Sequence, residues 1–248
     1  MQYLIKIFIF PILLCNLLNA SEIYENNAAS VVLLIGDKGY GSGVIISAKG
    51  YVLTNNHVIN GNENLEIVLS YNYNLNSYEE YVHAVEVVKQ DKIKDLALLK
   101  IKNPRTALRP INISRKVPPI GSQVHAIGHP DFETWSYTTG YISQIRYDYE
   151  WSYDDKNNHV ANVYQTQTPI AEGSSGGPLL NNYGNLIGIN TFGDSENDFQ
   201  NFSVSVDEII RFLVNLKDNF YCRKNVALLL HKMMSNDEFC EILSSLNL

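Results

Sequence analysis

From about residue 31 onward, short apolar or β-branched runs alternate with glycine, asparagine and proline. Val31–Ile35, Val44–Ser47, Tyr51–Thr54, Glu66–Asn72, Tyr81–Lys89 and Leu96–Ile101 have strand length and turn residues between them. A proline-punctuated connector follows, from Asn103-Pro104-Arg105 to Val117-Pro118-Pro119. A second series comprises Gln123–Ile127, Thr138–Arg146, Val160–Gln167, Leu179–Leu180, Leu186–Thr191 and Asn201–Val204. Asn181-Asn182-Tyr183-Gly184 reads as a hairpin loop within it. This spacing predicts an all-β sandwich or barrel architecture, and the connector predicts two such units, about 24–103 and 119–204. Asn72–Ser77 and Asp148–Asn158 are polar or aromatic-rich and read as loops at hairpin tips.

The period changes at the end of the chain. Ser205-Val206-Asp207-Glu208 has the form of a capping box, and Ile209, Ile210, Leu213, Val214 and Leu216 follow at helical spacing. Val226–Met234 reads as a second helix, and Ser235-Asn236-Asp237-Glu238 opens a third. The strand-rich unit thus spans about 21–217, with a helical C-terminal extension over 218–248. The start differs again: Lys6 is the only charge in residues 1–20, and Ile7–Leu14 is nearly unbroken apolar sequence before Leu18-Asn19-Ala20. This reads as a signal peptide over 1–20, cleaved after Ala20, with the protein exported to the periplasm or secreted. The apolar run is short for a membrane span, and no stable membrane association is expected after cleavage. An uncleaved anchor is the alternative, because Leu18 is a bulky residue for a cleavage site.

The composition fits this picture. Of 248 residues, 45% are hydrophobic and 18% charged, as in a soluble globular protein with a real core. A net charge of −7 gives no footprint for a nucleic-acid partner. Cleavage would remove Cys15 and leave Cys222 and Cys240, which permit one disulfide or stand as two buried thiols.

The chemistry concentrates in Glu172-Gly173-Ser174-Ser175-Gly176-Gly177-Pro178-Leu179. A serine among glycines lets backbone N–H groups turn toward its oxygen, which suits a nucleophile beside an oxyanion hole. Upstream, His57 stands just past a strand end and Asp95 just before another strand. A serine hydroxyl is a poor nucleophile until a neutral imidazole accepts its proton. The imidazole in turn needs a buried acceptor to hold its tautomer. Singly, such residues usually serve turns, strand ends and flexible loops; their joint order is what points to acyl transfer. His83, His125, His159 and His231 lack adjacent ligand partners and read as structural or surface residues. No spacing resembles a zinc site, and no cofactor is expected.

Gly41-Ser42-Gly43-Val44-Ile45 with Leu53-Thr54-Asn55-Asn56-His57-Val58 resembles the histidine region of trypsin-like serine proteases of the HtrA/DegP type. Asp95-Leu96-Ala97-Leu98-Leu99-Lys100 resembles that family's aspartate motif. Gly173–Leu179 resembles its serine motif, and Asn185–Thr191 its following strand. Ala126-Ile127-Gly128-His129-Pro130 is similar to a further segment, with His129 where asparagine is usual. The resemblance covers about residues 30–215. It implies two six-stranded antiparallel β-barrels of chymotrypsin-like fold with the catalytic His57 and Asp95 in the first and Ser175 in the second. It also implies an oxyanion hole from the N–H groups of Gly173 and Ser175. The substrate pocket would be built around Pro169, Ile170 and Ala171, with Ile189, Asn190, Thr191 and Phe202–Val204 as walls. With no acid at its base, this pocket suits a small or aliphatic P1 residue. The implied partners are unfolded or partly folded polypeptides.

Two other readings fit parts of the pattern. Gly173-Ser174-Ser175-Gly176-Gly177 also matches the nucleophile elbow of an α/β-hydrolase esterase, which requires a helix after the serine and a later histidine. A latent protease fold that binds polypeptide without cutting it is the other. The tail is too short for the PDZ domains usual in the resembled family, and the oligomeric state is left open. Mass spectrometry of the exported protein is expected to find Ser21 at its N-terminus; a start at Met1 would overturn cleavage.

Overall fold

The computed structural model describes residues 19–70, 82–153, 158–194 and 197–214. The first strand series forms β1 (Val31–Gly36), β2 (Gly39–Ile45), β3 (Tyr51–Thr54), β4 (Glu66–Val68), β5 (Val82–Asp91) and β6 (Leu96–Ile101). The second forms β7 (Gln123–Gly128), β8 (Ser136–Ser152), β9 (Asn158–Thr166), β10 (Pro178–Asn181), β11 (Leu186–Asp194) and β12 (Asn197–Ser205). Every named pairing is antiparallel, and each series closes on itself: β1 pairs with β4, and β10 with β7. Closure leaves no unpaired strand edge, as an exposed sheet of such apolar strands would. The expected architecture of two six-stranded barrels is therefore the observed one.

Besides an apolar cluster inside each, the barrels share one between them. Val31, Val44, Leu53, Leu96 and Leu98 of the first pack in the same buried cluster as Ile127, Leu180, Leu186, Ile189 and Val204 of the second. Two helices seal this cluster. α1 (Ala20–Asn27) contributes the fully buried Ile23. A one-turn α2 spans Asn56–Ile59, and α3 (Val206–Val214) contributes Ile209, Phe212 and Leu213. α3 also ties the barrels by polar contacts: Lys89 Nζ of β5 donates to the Phe212 carbonyl at 2.6 Å. Glu208 accepts from Lys94 Nζ and from the Asn162 N–H, each at 3.2 Å. Glu208 was expected to turn back on Ser205 in a capping box. The Ser205 hydroxyl instead donates to Asp207.

Two further elements depart from the sequence reading. α1 was not anticipated. Asn19 and Glu22 form a reciprocal capping box at its start. Asn19 lies on the leader side of the expected cleavage point, so cleavage after Ala20 would remove this cap. The stretch from Asp148, expected to be loop, is strand as far as Ser152. Tyr149 and Trp151 are half-buried while Glu150 and Ser152 are exposed, an alternation masked in the sequence by a register shift between Arg146 and Tyr149. The helices expected over 226–238, and Cys222 and Cys240, lie outside the described residues.

Leu98 is fully buried in the shared core. Leu98→Ala is expected to lower stability by about 2–5 kcal/mol, read from the shift in urea unfolding midpoint.

Candidate active site

β3 ends at Thr54, and the chain turns at Asn55 into α2, which carries His57. Asp95 lies in the turn between β5 and β6 with φ of 54°, a left-handed conformation. Such a residue costs on the order of 1 kcal/mol, least for Asp and Asn. Hydrogen bonds from several elements hold it there. Asn55 Nδ2 donates to the Asp95 carbonyl at 2.9 Å. The His57 N–H donates to Oδ1 at 2.9 Å, and His57 Nδ1 lies 2.7 Å from Oδ2. Thr191 Oγ1, from β11, also donates to Oδ2 at 2.7 Å. Asp95 is fully buried. Burial alone pushes its pKa up, but the His57 side-chain hydrogen bond and charge, with the Thr191 and His57 backbone donors, outweigh it and hold the carboxyl below its ordinary value. A carboxylate fixed this way holds the proton on Nδ1 and leaves Nε2 free to act as a base.

The serine loop sits against the first barrel. The Ser42 N–H of β2 donates to the Ser175 carbonyl at 2.8 Å, and Ser42 Oγ donates to the Gly173 carbonyl at 2.7 Å. Two glycines permit this approach. Gly173 has φ of 90°, and a Cβ there would lie 2.3 Å from the His129 carbonyl. Gly176 has φ of 86°, and a Cβ would lie 2.0 Å from the Ser42 carbonyl. The Asp131 N–H binds the Glu172 carbonyl at 2.9 Å, and the Gly177 N–H binds the Ser174 carbonyl at 3.1 Å. Both following peptides are trans, so the Gly173 and Ser175 N–H groups point the opposite way. Neither has an acceptor among the described residues. The Ser175 hydroxyl donates to the Thr191 carbonyl at 3.0 Å and makes no hydrogen bond to His57.

Several residues in this centre escaped the sequence reading. Tyr153 brings its hydroxyl 3.1 Å from Asp95 Oδ2 and its ring 4.6 Å from the His57 ring. The residue as a whole is 43% exposed, but its hydroxyl is turned inward onto Asp95 and Thr191, and desolvation there, followed by the Asp95 charge, raises its phenol pKa. Only its neighbourhood of aromatic residues in an apparent loop hinted at it. Ser42 and Asn55 stood inside the quoted motifs but carried no signal of their own. Tyr40, stacked on Phe132 at 3.6 Å, backs the serine loop; a Cβ on Gly173 would lie 2.4 Å from its ring. His129 is fully buried, with Nδ1 2.9 Å from Ser42 Oγ. The Ser42 hydroxyl proton is already committed to the Gly173 carbonyl, so His129 Nδ1 carries the proton and Nε2 is bare and unpartnered.

The expected pocket residues divide. Pro169 and Ala171 are exposed and Ile170 half-buried beside the serine loop. Ile189, by contrast, is wholly buried in the shared core and has no surface to offer a substrate. Asn190 braces the loop from behind: its carbonyl accepts the Gly176 N–H, its N–H donates to the Gly177 carbonyl, and its side chain bonds Pro178 and Ser203. Thr191, expected as a wall, is a partner of Asp95 and Ser175. The α/β-hydrolase reading fails here, because Pro178 opens strand β10 where an elbow requires a helix; His231 lies outside the described residues.

A family model described as "Trypsin-like peptidase domain" matches residues 41–189. The chain is 36% identical over 168 residues to protease Do-like 1, chloroplastic, of Arabidopsis thaliana, covering 67% of this chain and 36% of that protein. It is 37% identical over 156 residues to a protein of Escherichia coli K12 named periplasmic pH-dependent serine endoprotease DegQ, covering 62% and 31%. The crystal structure of a serine endoprotease from Yersinia pestis superposes with a TM-score of 0.65 at 30% identity, over 81% of this chain and 68% of that one. The chain belongs to the trypsin-like peptidase family and is an HtrA-type member of it. It spans about a third of the length of the two curated relatives.

His129 links this site to pH. Burial lowers its pKa from 6.5 to about 3. The unfolded chain therefore gains a proton on this residue as pH falls through 6.5, and the folded chain gains it only near 3. Stability is lost across that window at up to about 1.4 kcal/mol per pH unit. Asp95, with its lowered pKa, adds acid lability of the same sign at lower pH. In urea titrations between pH 6.5 and 4.5, His129→Asn is expected to lose less stability than wild type; equal slopes would show that His129 is not held neutral.

Proposed function

We propose that this chain is an exported serine endopeptidase that cleaves polypeptides through His57, Asp95 and Ser175 with an acyl-enzyme intermediate. The observation that carries this reading is the pair of N–H groups on Gly173 and Ser175 that have no acceptor among the described residues, beside a serine hydroxyl and a carboxylate-bound histidine. Turning the Ser175 hydroxyl from the Thr191 carbonyl to His57 Nε2 is the first step. Nε2 takes the proton as Oγ attacks the scissile carbonyl. The developing oxyanion accepts from the Gly173 and Ser175 N–H groups, each worth about 3 kcal/mol in the transition state. His57 then protonates the leaving amine, and water activated by the same base hydrolyses the acyl-enzyme.

Export rests on the apolar leader. Unfolded or partly folded chains are the substrate class, because an extended backbone must reach the cleft between the barrels. A small or aliphatic P1 side chain suits a pocket bordered by Ile170 and Ala171, with Glu172 exposed at the rim. The second reading, a latent polypeptide binder, draws on one observation: the Ser175 hydroxyl rests on Thr191 and makes no hydrogen bond to His57.

Casein digestion and fluorophosphonate labelling separate these readings. Ser175→Ala is expected to lose label and to lower kcat by about 10⁴- to 10⁶-fold, with wild-type cleavage after small or aliphatic residues. Full activity in the Ser175 variant would sink the nucleophile assignment, a dominant cut after Lys or Arg would sink the pocket assignment, and a wild type without label or turnover favours the binder.

A further inference from the structure

The β8–β9 hairpin belongs to the second barrel, yet it docks on the turn of the first barrel that carries Asp95. His159 Nδ1 donates to the Lys92 carbonyl at 2.8 Å, and the Val160 N–H donates to the Ile93 carbonyl at 2.9 Å. An aromatic stack stiffens the hairpin behind this contact. Trp151 lies 5.2 Å from the His159 ring and 5.0 Å from Phe192, which stacks on Phe202 at 4.5 Å. Tyr153 stands at the front, edge-on to His159 at 5.2 Å.

The proton count around Asp95 fixes what the Tyr153 hydroxyl does. It lies 3.1 Å from Asp95 Oδ2, 3.2 Å from the Thr191 carbonyl and 3.1 Å from Thr191 Oγ1. Thr191 Oγ1 already gives its proton to Oδ2, and the Thr191 carbonyl already accepts from Ser175. A carboxylate is the stronger acceptor, so the single Tyr153 proton goes to Oδ2. That oxygen then carries three donors: His57 Nδ1, Thr191 Oγ1 and Tyr153.

The geometry points to Tyr153 as a positioning residue for the Asp95–His57 pair: its hydroxyl shares the carboxylate's charge and its ring covers one side of the imidazole, both set by docking of the β8–β9 hairpin. This rests on the triad reading above. An additional donor on Oδ2 competes with His57 Nδ1 for the same carboxylate charge and fixes the carboxyl group that orients the imidazole. Among the described residues, the groups facing His57 are Asp95 from the β5–β6 turn, Tyr153 from the hairpin and Ser175 from the serine loop. His159 stands behind Tyr153, and Lys94 is turned away to Glu208 at 3.2 Å.

Tyr153→Phe removes the hydroxyl and keeps the ring. At a fixed pH, the His57 Nδ1–H proton resonance in ¹H–¹⁵N NMR is expected to move downfield in the variant, because Oδ2 then keeps one donor fewer and accepts more strongly from Nδ1, and kcat on a peptide substrate is expected to fall about 5-fold with KM unchanged. A folded Tyr153→Phe protein whose His57 Nδ1–H resonance is unmoved overturns the proposal. The NMR reading needs no turnover. A wild type that hydrolyses nothing, while its His57 Nδ1–H resonance still moves in the variant, counts against the hydrolase reading and supports the Tyr153 contact.

Discussion

The arrangement of the site depends on one backbone contact, the seating of the serine loop on strand β2. Ser42 holds the loop at two carbonyls, those of Ser175 and Gly173, while the Gly176 Cα passes so close to the Ser42 carbonyl that no side chain fits. Behind the loop, Asn190 binds Gly176 and Gly177. The serine is thus clamped between a strand of the first barrel and a strand of the second. Since His57 and Asp95 belong to the first barrel, this clamp sets the distance between proposed nucleophile and base. The shared apolar core around Leu98 and Ile189 makes the two barrels one body, so the clamp is held by packing as well as by hydrogen bonds.

A second constraint is electrostatic. Asp95 is buried and left-handed in backbone conformation, two conditions that each disfavour it. It persists as a carboxylate because donors converge on it from α2, β11 and the β8–β9 hairpin. His129 shows the opposite solution to burial: with a single partner and no counter-charge it is kept neutral. Burial acts on both residues, and the number of fitted donors decides which form survives.

Much of the fold was legible because its signals are local. Apolar runs between glycine and proline turns marked most of the strands, and Ser175 in its glycine loop with His57 and Asp95 at strand ends marked the chemistry. The misreadings share a cause. Asp148–Ser152 looked like loop because its polar and aromatic residues follow a bulge, and the stack that makes it strand involves Phe192 and Phe202, far along the chain. Ile189 looked like a pocket wall, but the inward direction of its side chain follows from the pairing of β11 with β10 and β12. α1 went unseen because its apolar face is little more than Ile23, which counts only once the shared core exists to receive it.

The sequence by itself determined the strand pattern, the family membership, and which serine, histidine and aspartate to compare, since these reside in short stretches of residue types. Tertiary structure decided the rest: which carbonyls the loop surrenders so that the Gly173 and Ser175 N–H groups stay free, where the Ser175 hydroxyl rests, and that Tyr153 reaches Asp95. Two of the contacts involved join residues 58 and 131 positions apart, Tyr153 with Asp95 and Ser42 with Gly173. Such partners become neighbours only when the closed barrels bring them together.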